Sequence, residues 1–264
     1  MSTTNAPAAA ASVPVVLLHS SMSSKAQWSR LVKRLDARFA PIGIDLYGYG
    51  DTPMPAGGPG FSLADEVALV NAAIARQIGP HQPFHLIGHS YGGAVSLRLA
   101  SEQPARILSL ALYEPVAFYL LERTEGPYRE VADVVAHINA EIGSDQRLAT
   151  RMFIDYWSGE GAFDGMPSYV QTALSSQIEK VQLDFQALMG DSLRLADLAT
   201  LEVPACVIKG SDSPQSSRRI AALLAQTLPR VRCHEIKGGH MAPITHSDDV
   251  NALLLAFLDE VAPR

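Results

Sequence analysis

The sequence has few of the features that mark disulfide-bonded, metal-binding or membrane-spanning proteins. It contains two cysteines, Cys206 and Cys233, which make no disulfide framework and do not have the spacing of a zinc motif. Each lies in an apolar run, which predicts a small buried side chain. No stretch approaches the roughly 18 consecutive apolar residues that a membrane span requires. These absences predict a globular chain with an ordinary apolar core.

Positive charge is also scarce. Twenty-one Lys and Arg residues stand against 27 Asp and Glu residues, so the formal net charge is −6. This balance disfavours nucleic acid and anionic membrane surfaces as partners. Residues 1–12 lack the positive start and the apolar stretch of a signal peptide. We predict that residues 1–12 are disordered and that the protein is cytoplasmic.

Short apolar runs alternate with longer segments of helical periodicity, which is the pattern of a parallel sheet flanked by helices. The runs that predict strands are residues 14–18, 42–46, 83–87, 106–113, 204–209 and 231–236. The segments that predict helices are residues 26–35, 62–78, 91–101, 216–226 and 248–261. The order of these elements predicts an α/β fold with about six mostly parallel strands.

Residues 115–202, between the fourth and fifth predicted strands, have a different character. They show helix-like patterns, few strand signals and nine aromatic side chains. A structureless loop of this length inside a compact domain would be unusual. We therefore predict that residues 115–202 form a helical cap, and that residues 13–114 and 203–264 form the core.

A Gly-x-Ser-x-Gly pattern centred on Ser90 follows the third predicted strand and precedes a predicted helix. In this context the serine occupies a strained strand-to-helix turn. The positions two residues before it and two residues after it must lack side chains, because they crowd the turn. The amides at the start of the following helix suit developing negative charge. Ser90 is the predicted nucleophile.

A serine nucleophile needs a general base within hydrogen-bond reach. His240 follows two glycines directly after the last predicted strand, on a loop at the carboxyl edge of the sheet. Among the other histidines, His89 is adjacent to the nucleophile, and His85 alternates within a strand, as a core histidine does. His240 is the predicted base.

Four segments resemble the landmarks of the α/β-hydrolase superfamily, in the order in which that superfamily has them. They are His-Ser-Ser at 19–21, Asp-Leu-Tyr-Gly-Tyr-Gly at 45–50, Gly-His-Ser-Tyr-Gly-Gly at 88–93 and Gly-His-Met at 239–241. The resemblance extends from Pro14 to the C-terminus, and it implies an α/β-hydrolase fold. Family members usually have two strands before the first one seen here, so we expect a sheet without that hairpin.

The resemblance also implies an oxyanion hole and a third catalytic residue. The loop after the first strand would supply the backbone N–H of Ser21, and the residue after the nucleophile, Tyr91, would supply the second. The acid that orients the base has two candidates. Asp212 follows the fifth strand, where the family usually keeps this acid, and Glu114 ends the fourth strand, from which some relatives draw theirs.

These residues predict a serine hydrolase that acts through an acyl-enzyme on a small to medium, largely neutral carboxylic ester. Relatives with dehalogenase or epoxide-hydrolase activity have aspartate as the nucleophile, so Ser90 disfavours both. Hydrolysis of a carbon–carbon bond or a lactone is the enzymatic alternative, and a ligand receptor of the same fold is the non-catalytic one. The partner expected is a small molecule. No residue spacing indicates a metal or an organic cofactor, and the sequence leaves the oligomeric state open.

Overall fold

A computed structural model describes residues 12–56 and 58–262, so residues 1–11 of the predicted disordered segment lie outside the described part. The described chain contains a six-stranded sheet of order β2-β1-β3-β4-β5-β6, in which every neighbouring pair is parallel. The strands are β1 Val13–Leu18, β2 Phe39–Ile44, β3 Phe84–His89, β4 Ile107–Tyr113, β5 Ala205–Gly210 and β6 Val231–Ile236. This sheet confirms the predicted fold class.

Helices cover both faces of the sheet. The α-helices of the described residues are α1 Ser29–Val32, α2 Leu63–Ile78, α3 Tyr91–Glu102, α4 Gly126–Glu141, α5 Gln146–Ser158, α6 Ser168–Ser175, α7 Ile178–Gly190, α8 Leu195–Leu198, α9 Gln215–Thr227, α10 Ala242–Thr245 and α11 Ser247–Val261. Side chains alternate across a strand, so Val16 and Leu18 of β1 pack with α2, α3 and α9, whereas Val15 and Leu17 pack with α1 and α11. The central strands are therefore apolar on both faces.

Helices α4 to α8 all lie between β4 and β5, within residues 115–202. Their buried side chains, among them Val131, Trp157 and Phe185, join the apolar cluster on the α2 and α3 face of the sheet. The predicted helical character of this segment agrees with these helices. The exact division of the chain into cap and core stays a prediction.

Three local predictions differ from the structure. The second strand is Phe39–Ile44 rather than residues 42–46, because an edge strand accommodates a proline such as Pro41. The helix predicted over residues 26–35 is a 3₁₀ turn at Lys25–Trp28 followed by the short α1. Cys233 is exposed rather than buried, because β6 is an edge strand, whereas Cys206 in β5 is buried as predicted. Within the described ranges, no helix combines the length and the hydropathy needed to cross a membrane.

Two buried histidines are held in their neutral form. The Nε2 atom of His19 accepts a hydrogen bond from the Leu46 N–H at 3.0 Å, so its proton resides on Nδ1, which donates to the Ser20 carbonyl. His85 lies on β3 with its Nδ1 atom 2.7 Å from the Ser109 hydroxyl. Burial lowers the pKa of both histidines from 6.5 to about 4.

We expect acid to destabilise the protein between pH 6.5 and about 4 through these two groups. In that window the unfolded chain binds protons that the folded chain does not. The free energy of unfolding therefore decreases as the pH is lowered, by up to about 1.4 kcal/mol per pH unit for each histidine. Urea titrations at several pH values would measure this slope. His85→Gln should make the slope shallower, whereas His137→Gln, at an exposed position, should leave it as in the wild type. Equal slopes for all three proteins would contradict the assignment.

Candidate active site

Ser90 lies in a strained turn between β3 and α3. Its backbone φ is 55° and its ψ is −119°, a conformation that a residue with a side chain rarely adopts. The glycines two positions away leave room for the turn. A Cβ atom on Gly92 would lie 2.4 Å from the His19 carbonyl oxygen, and one on Gly88 would lie 2.4 Å from the Ser96 hydroxyl. The glycine spacing therefore allows the backbone to hold Ser90 above the carboxyl edge of the sheet.

A chain of hydrogen bonds joins Ser90 to His240 and His240 to Glu114. The distance from His240 Nε2 to Ser90 Oγ is 2.8 Å, and that from His240 Nδ1 to Glu114 Oε2 is 2.7 Å. All three side chains are buried, with residue exposures of 6%, 1% and 0% for Ser90, His240 and Glu114. The arrangement allows the imidazole to accept a proton from the serine while the carboxylate holds the opposite nitrogen.

The structure brings only one of the two candidate acids to His240. Glu114 directly follows β4 with a φ of 40°, and its Oε1 atom accepts a hydrogen bond from the Gly210 N–H at 2.7 Å. Asp212 is exposed, and its carboxylate accepts from the Ser211 hydroxyl instead. The described residues include no hydrogen bond between Asp212 and His240. The geometry therefore favours Glu114 over Asp212 as the partner of the base.

Three side chains that the sequence reasoning did not assign to the site hold the His240 loop. His89 Nε2 donates to the His240 carbonyl at 2.9 Å, and the Tyr113 hydroxyl donates to the Gly239 carbonyl at 2.9 Å. Burial lowers the pKa of His89 well below its usual range, so the ring is neutral. The Trp157 ring of α5 stacks on the imidazole of His240, with 3.9 Å between ring centroids. His89 lies within the recognised motif, but no local pattern distinguished Trp157 from the other aromatic residues of its segment.

The two predicted oxyanion donors lie on neighbouring loops. Ser21 follows β1, Tyr91 begins α3, and the Gly92 N–H ties the two loops together by donating to the His19 carbonyl at 3.1 Å. Among the hydrogen bonds of residues 12–56 and 58–262, neither the Ser21 N–H nor the Tyr91 N–H is a donor. Both amides are thus free to bind an anionic oxygen.

A small cavity adjoins Ser90. Its volume is about 10 Å³, close to the space that a single water molecule needs. Ser21, Ser90 and Asp184 provide its polar lining, and the remaining lining is apolar: Val116, Phe118, Phe153, Trp157, Val181, Phe185 and Leu188. Trp157 also lines an open cleft of about 740 Å³, so this side chain contacts both spaces.

No group of three or more His, Cys, Asp or Glu side chains in the described part of the chain is arranged to hold a metal ion. Ser90, His240 and Glu114, which lie beside the cavity, have the arrangement that acyl transfer requires of a nucleophile, a base and an acid.

Comparison with known proteins identifies the family and agrees with the fold. The sequence profile of a family described as the alpha/beta hydrolase family matches residues 15–253. A fluoroacetate dehalogenase of a Burkholderia species is 24% identical to this chain, over 93% of this chain and 87% of the dehalogenase. A pimeloyl-(acyl-carrier protein) methyl ester esterase of Yersinia pseudotuberculosis is 28% identical, over 93% of each protein. The crystal structure of an enol-lactonase from Burkholderia xenovorans superposes with a TM-score of 0.77 at 18% identity, over 94% of this chain and 92% of the lactonase.

Proposed function

Because the chain belongs to the alpha/beta hydrolase family, we propose that it is a serine hydrolase that cleaves a small to medium, largely neutral carboxylic ester through an acyl-enzyme. The observation that carries the proposal is the hydrogen-bonded chain from Ser90 through His240 to Glu114. The names of the relatives, which are hydrolases of several kinds, support hydrolysis as the general reaction.

The reaction proceeds in two halves. Ser90 Oγ attacks the acyl carbon while His240 Nε2 takes its proton, and the N–H groups of Ser21 and Tyr91 stabilise the oxyanion that forms. Collapse of the intermediate breaks the bond to the alkoxy group, which leaves as an alcohol with the proton from His240. Water, deprotonated by His240, then attacks the acyl-enzyme. The bond to Ser90 Oγ breaks, Oγ takes the proton back from His240, and the carboxylic acid is released. Throughout, the Glu114 carboxylate accepts from His240 Nδ1 and stabilises the imidazolium.

The nucleophile argues for an acyl substrate rather than a halide. If the Ser90 oxygen displaced a halide, it would form an ether with the substrate. Water does not hydrolyse such an ether near neutral pH, so the enzyme would not be regenerated. An acyl group on the same oxygen forms an ester, which the oxyanion hole and His240 can cleave again. We therefore do not extend the dehalogenase activity of the Burkholderia relative to this chain.

The cavity supports a short, uncharged acyl group. Its apolar wall offers little solvation for a charged group. The one carboxylate in the lining, Asp184, already accepts hydrogen bonds from other side chains of the protein. The limited space beside Ser90 favours acyl chains of a few carbons over long ones. The partner proposed is therefore a small neutral ester.

Hydrolysis of p-nitrophenyl esters of increasing acyl length tests this proposal directly. We expect the highest kcat/KM for acyl chains of about two to four carbons, and a steep fall beyond them, because one additional methylene in a filled pocket changes discrimination by roughly tenfold or more. Leu188→Ala, which enlarges the cavity, should move the optimum to longer chains.

Leu254→Ala is the matched control, because Leu254 of α11 is as deeply buried but lies in the cluster on the other face of the sheet. Both variants should lose about 2–5 kcal/mol of stability, but Leu254→Ala should keep the wild-type optimum. A series that the wild type hydrolyses equally at all lengths would contradict the assigned acyl pocket. If no ester is hydrolysed, the proposed ester specificity fails, and lactones and carbon–carbon substrates become the next candidates.

A further inference from the structure

Three ionisable side chains form a buried group beside the cavity. Lys180 and Asp184 lie one turn apart on α7, and Glu66 lies on α2; their exposures are 0%, 1% and 0%. The Lys180 ammonium donates to Asp184 Oδ1 and, at 3.3 Å, to Glu66 Oε2. Ionic groups buried in this way contribute little net stability compared with apolar side chains of similar size. The mechanism proposed above assigns them no role, so their placement needs another reason.

Each carboxylate of this group holds one residue of the proposed oxyanion hole by its side chain. Asp184 Oδ2 accepts from the Ser21 hydroxyl at 2.6 Å. Glu66 Oε2 accepts from the Tyr91 hydroxyl at 2.8 Å. Lys180 lies between the two carboxylates and joins them. The two loops that carry the free amides are therefore anchored to one ionic group.

The surroundings of the group keep these hydrogen bonds in one arrangement. The Lys180 ammonium lies 4.7 Å from the centroid of the Tyr91 ring and 4.9 Å from that of Tyr49. Burial raises the pKa of both tyrosines well above the usual value, so both hydroxyls remain neutral donors. A hydrogen bond to a buried carboxylate is short and strong, and it restricts the donor more than a bond between neutral groups does.

We propose that Glu66, Lys180 and Asp184 are positioning residues, which hold the Ser21 and Tyr91 amides in the geometry that binds the oxyanion. This inference rests on the proposed function. Catalysis by an oxyanion hole depends on donors that are in place before charge develops, and a displacement of about 1 Å can cost roughly a hundredfold in rate. Because Lys180 and Asp184 lie on α7 and the two amides lie on core loops, the group also ties the inserted segment to the catalytic loops.

Ser21→Ala and Tyr91→Phe test the proposal, because each removes one hydroxyl from the ionic group and keeps the backbone amide. A fluorophosphonate probe supplies a readout that needs no known substrate. Ser90 Oγ forms a bond to phosphorus, fluoride leaves and the hydroxyl proton passes to His240. We expect each variant to lower the second-order rate constant of this labelling by about tenfold. With a p-nitrophenyl ester, kcat should fall by a similar factor while KM changes by less than about threefold.

Tyr49→Phe is the matched control. The Tyr49 hydroxyl donates to the same oxygen of Asp184, also at 2.6 Å, but the Tyr49 N–H is engaged with the Leu46 carbonyl and faces no oxyanion. Its removal should cost similar stability in a thermal melt, with a labelling rate within about threefold of the wild type. Replacement of Lys180 would leave buried carboxylates without a cation, so its effect on the rate would be combined with a large loss of stability.

The possible outcomes separate this inference from the proposed function. Slow labelling of Ser21→Ala and Tyr91→Phe, with Tyr49→Phe close to the wild type, supports the positioning role. Equal labelling rates for the wild type and the three variants would overturn the positioning role but not the proposed serine hydrolase function. The same conclusion would follow if Tyr49→Phe lost as much labelling rate as the other two variants. If the wild type is labelled no faster than Ser90→Ala, the nucleophile assignment fails, and this inference fails with it.

Discussion

Replacing Ser90 with alanine is expected to lower kcat for the best p-nitrophenyl ester by about a million-fold, the loss measured when a serine hydrolase is deprived of its nucleophile. The reason is that no other hydroxyl in the described residues lies within hydrogen-bond distance of His240 Nε2. Alanine removes one oxygen atom from a side chain that is already buried, so the fold should be retained. Mass spectrometry after fluorophosphonate treatment should find the phosphonyl group on the wild-type peptide that contains Ser90 and none on the variant.

Ser109→Ala is the control for this variant. Ser109 is another buried serine, on β4, whose hydroxyl contacts His85 rather than the reacting atoms. We expect it to lose about 1 kcal/mol of stability and to keep the labelling and the ester turnover of the wild type. Residual labelling of Ser90→Ala at the wild-type rate would mean that another residue is the nucleophile.

Glu114→Gln is expected to lower kcat by about ten-thousand-fold, as the equivalent change does in a serine protease triad. The Gly210 N–H donates to Glu114 Oε1, so the carbonyl oxygen of the new amide should take that position and its NH₂ group should face His240 Nδ1. The imidazole would then have to accept at Nδ1 and carry its proton on Nε2. In that tautomer it cannot take the proton of Ser90.

Asp212→Asn is the matched comparison, because it makes the same carboxylate-to-amide change at the other candidate acid. Asp212 is exposed and contacts Ser211, so we expect kcat to stay within about twofold of the wild type, as for most exposed positions. Steady-state kinetics of both variants with one ester would decide between them. A larger loss in Asp212→Asn than in Glu114→Gln would contradict the assignment of Glu114 as the acid.

The fold class was predictable because its signals are local. A fully apolar strand such as Val15–Leu18 is buried on both faces when it lies between two layers of helices. The helical segments between such strands have the apolar spacing of one buried face. The end of β2 was less predictable, since Leu46 is held by a hydrogen bond to His19, a residue far away in the sequence. Local patterns cannot indicate a partner of that kind.

The sequence by itself determined the candidate nucleophile and base. Gly88 and Gly92 reveal the strained turn around Ser90, because a Cβ atom at either position would overlap neighbouring atoms. His240 follows from its place after the last strand. Both assignments depend on the order of short elements and on backbone sterics, which a sequence contains directly, and their catalytic roles remain predictions until the variants are measured.

Only the tertiary structure decided which carboxylate faces the base and what surrounds the oxyanion loops. Glu114 reaches His240 because β4 pairs with β5 and the Gly210 amide then holds its second oxygen. Lys180 and Asp184 have the one-turn spacing of an ordinary surface ion pair, and only the packing of α7 against the core buries them beside Ser21. Hydrogen bonds between residues distant in sequence depend on how whole elements pack, so no local pattern could have identified them.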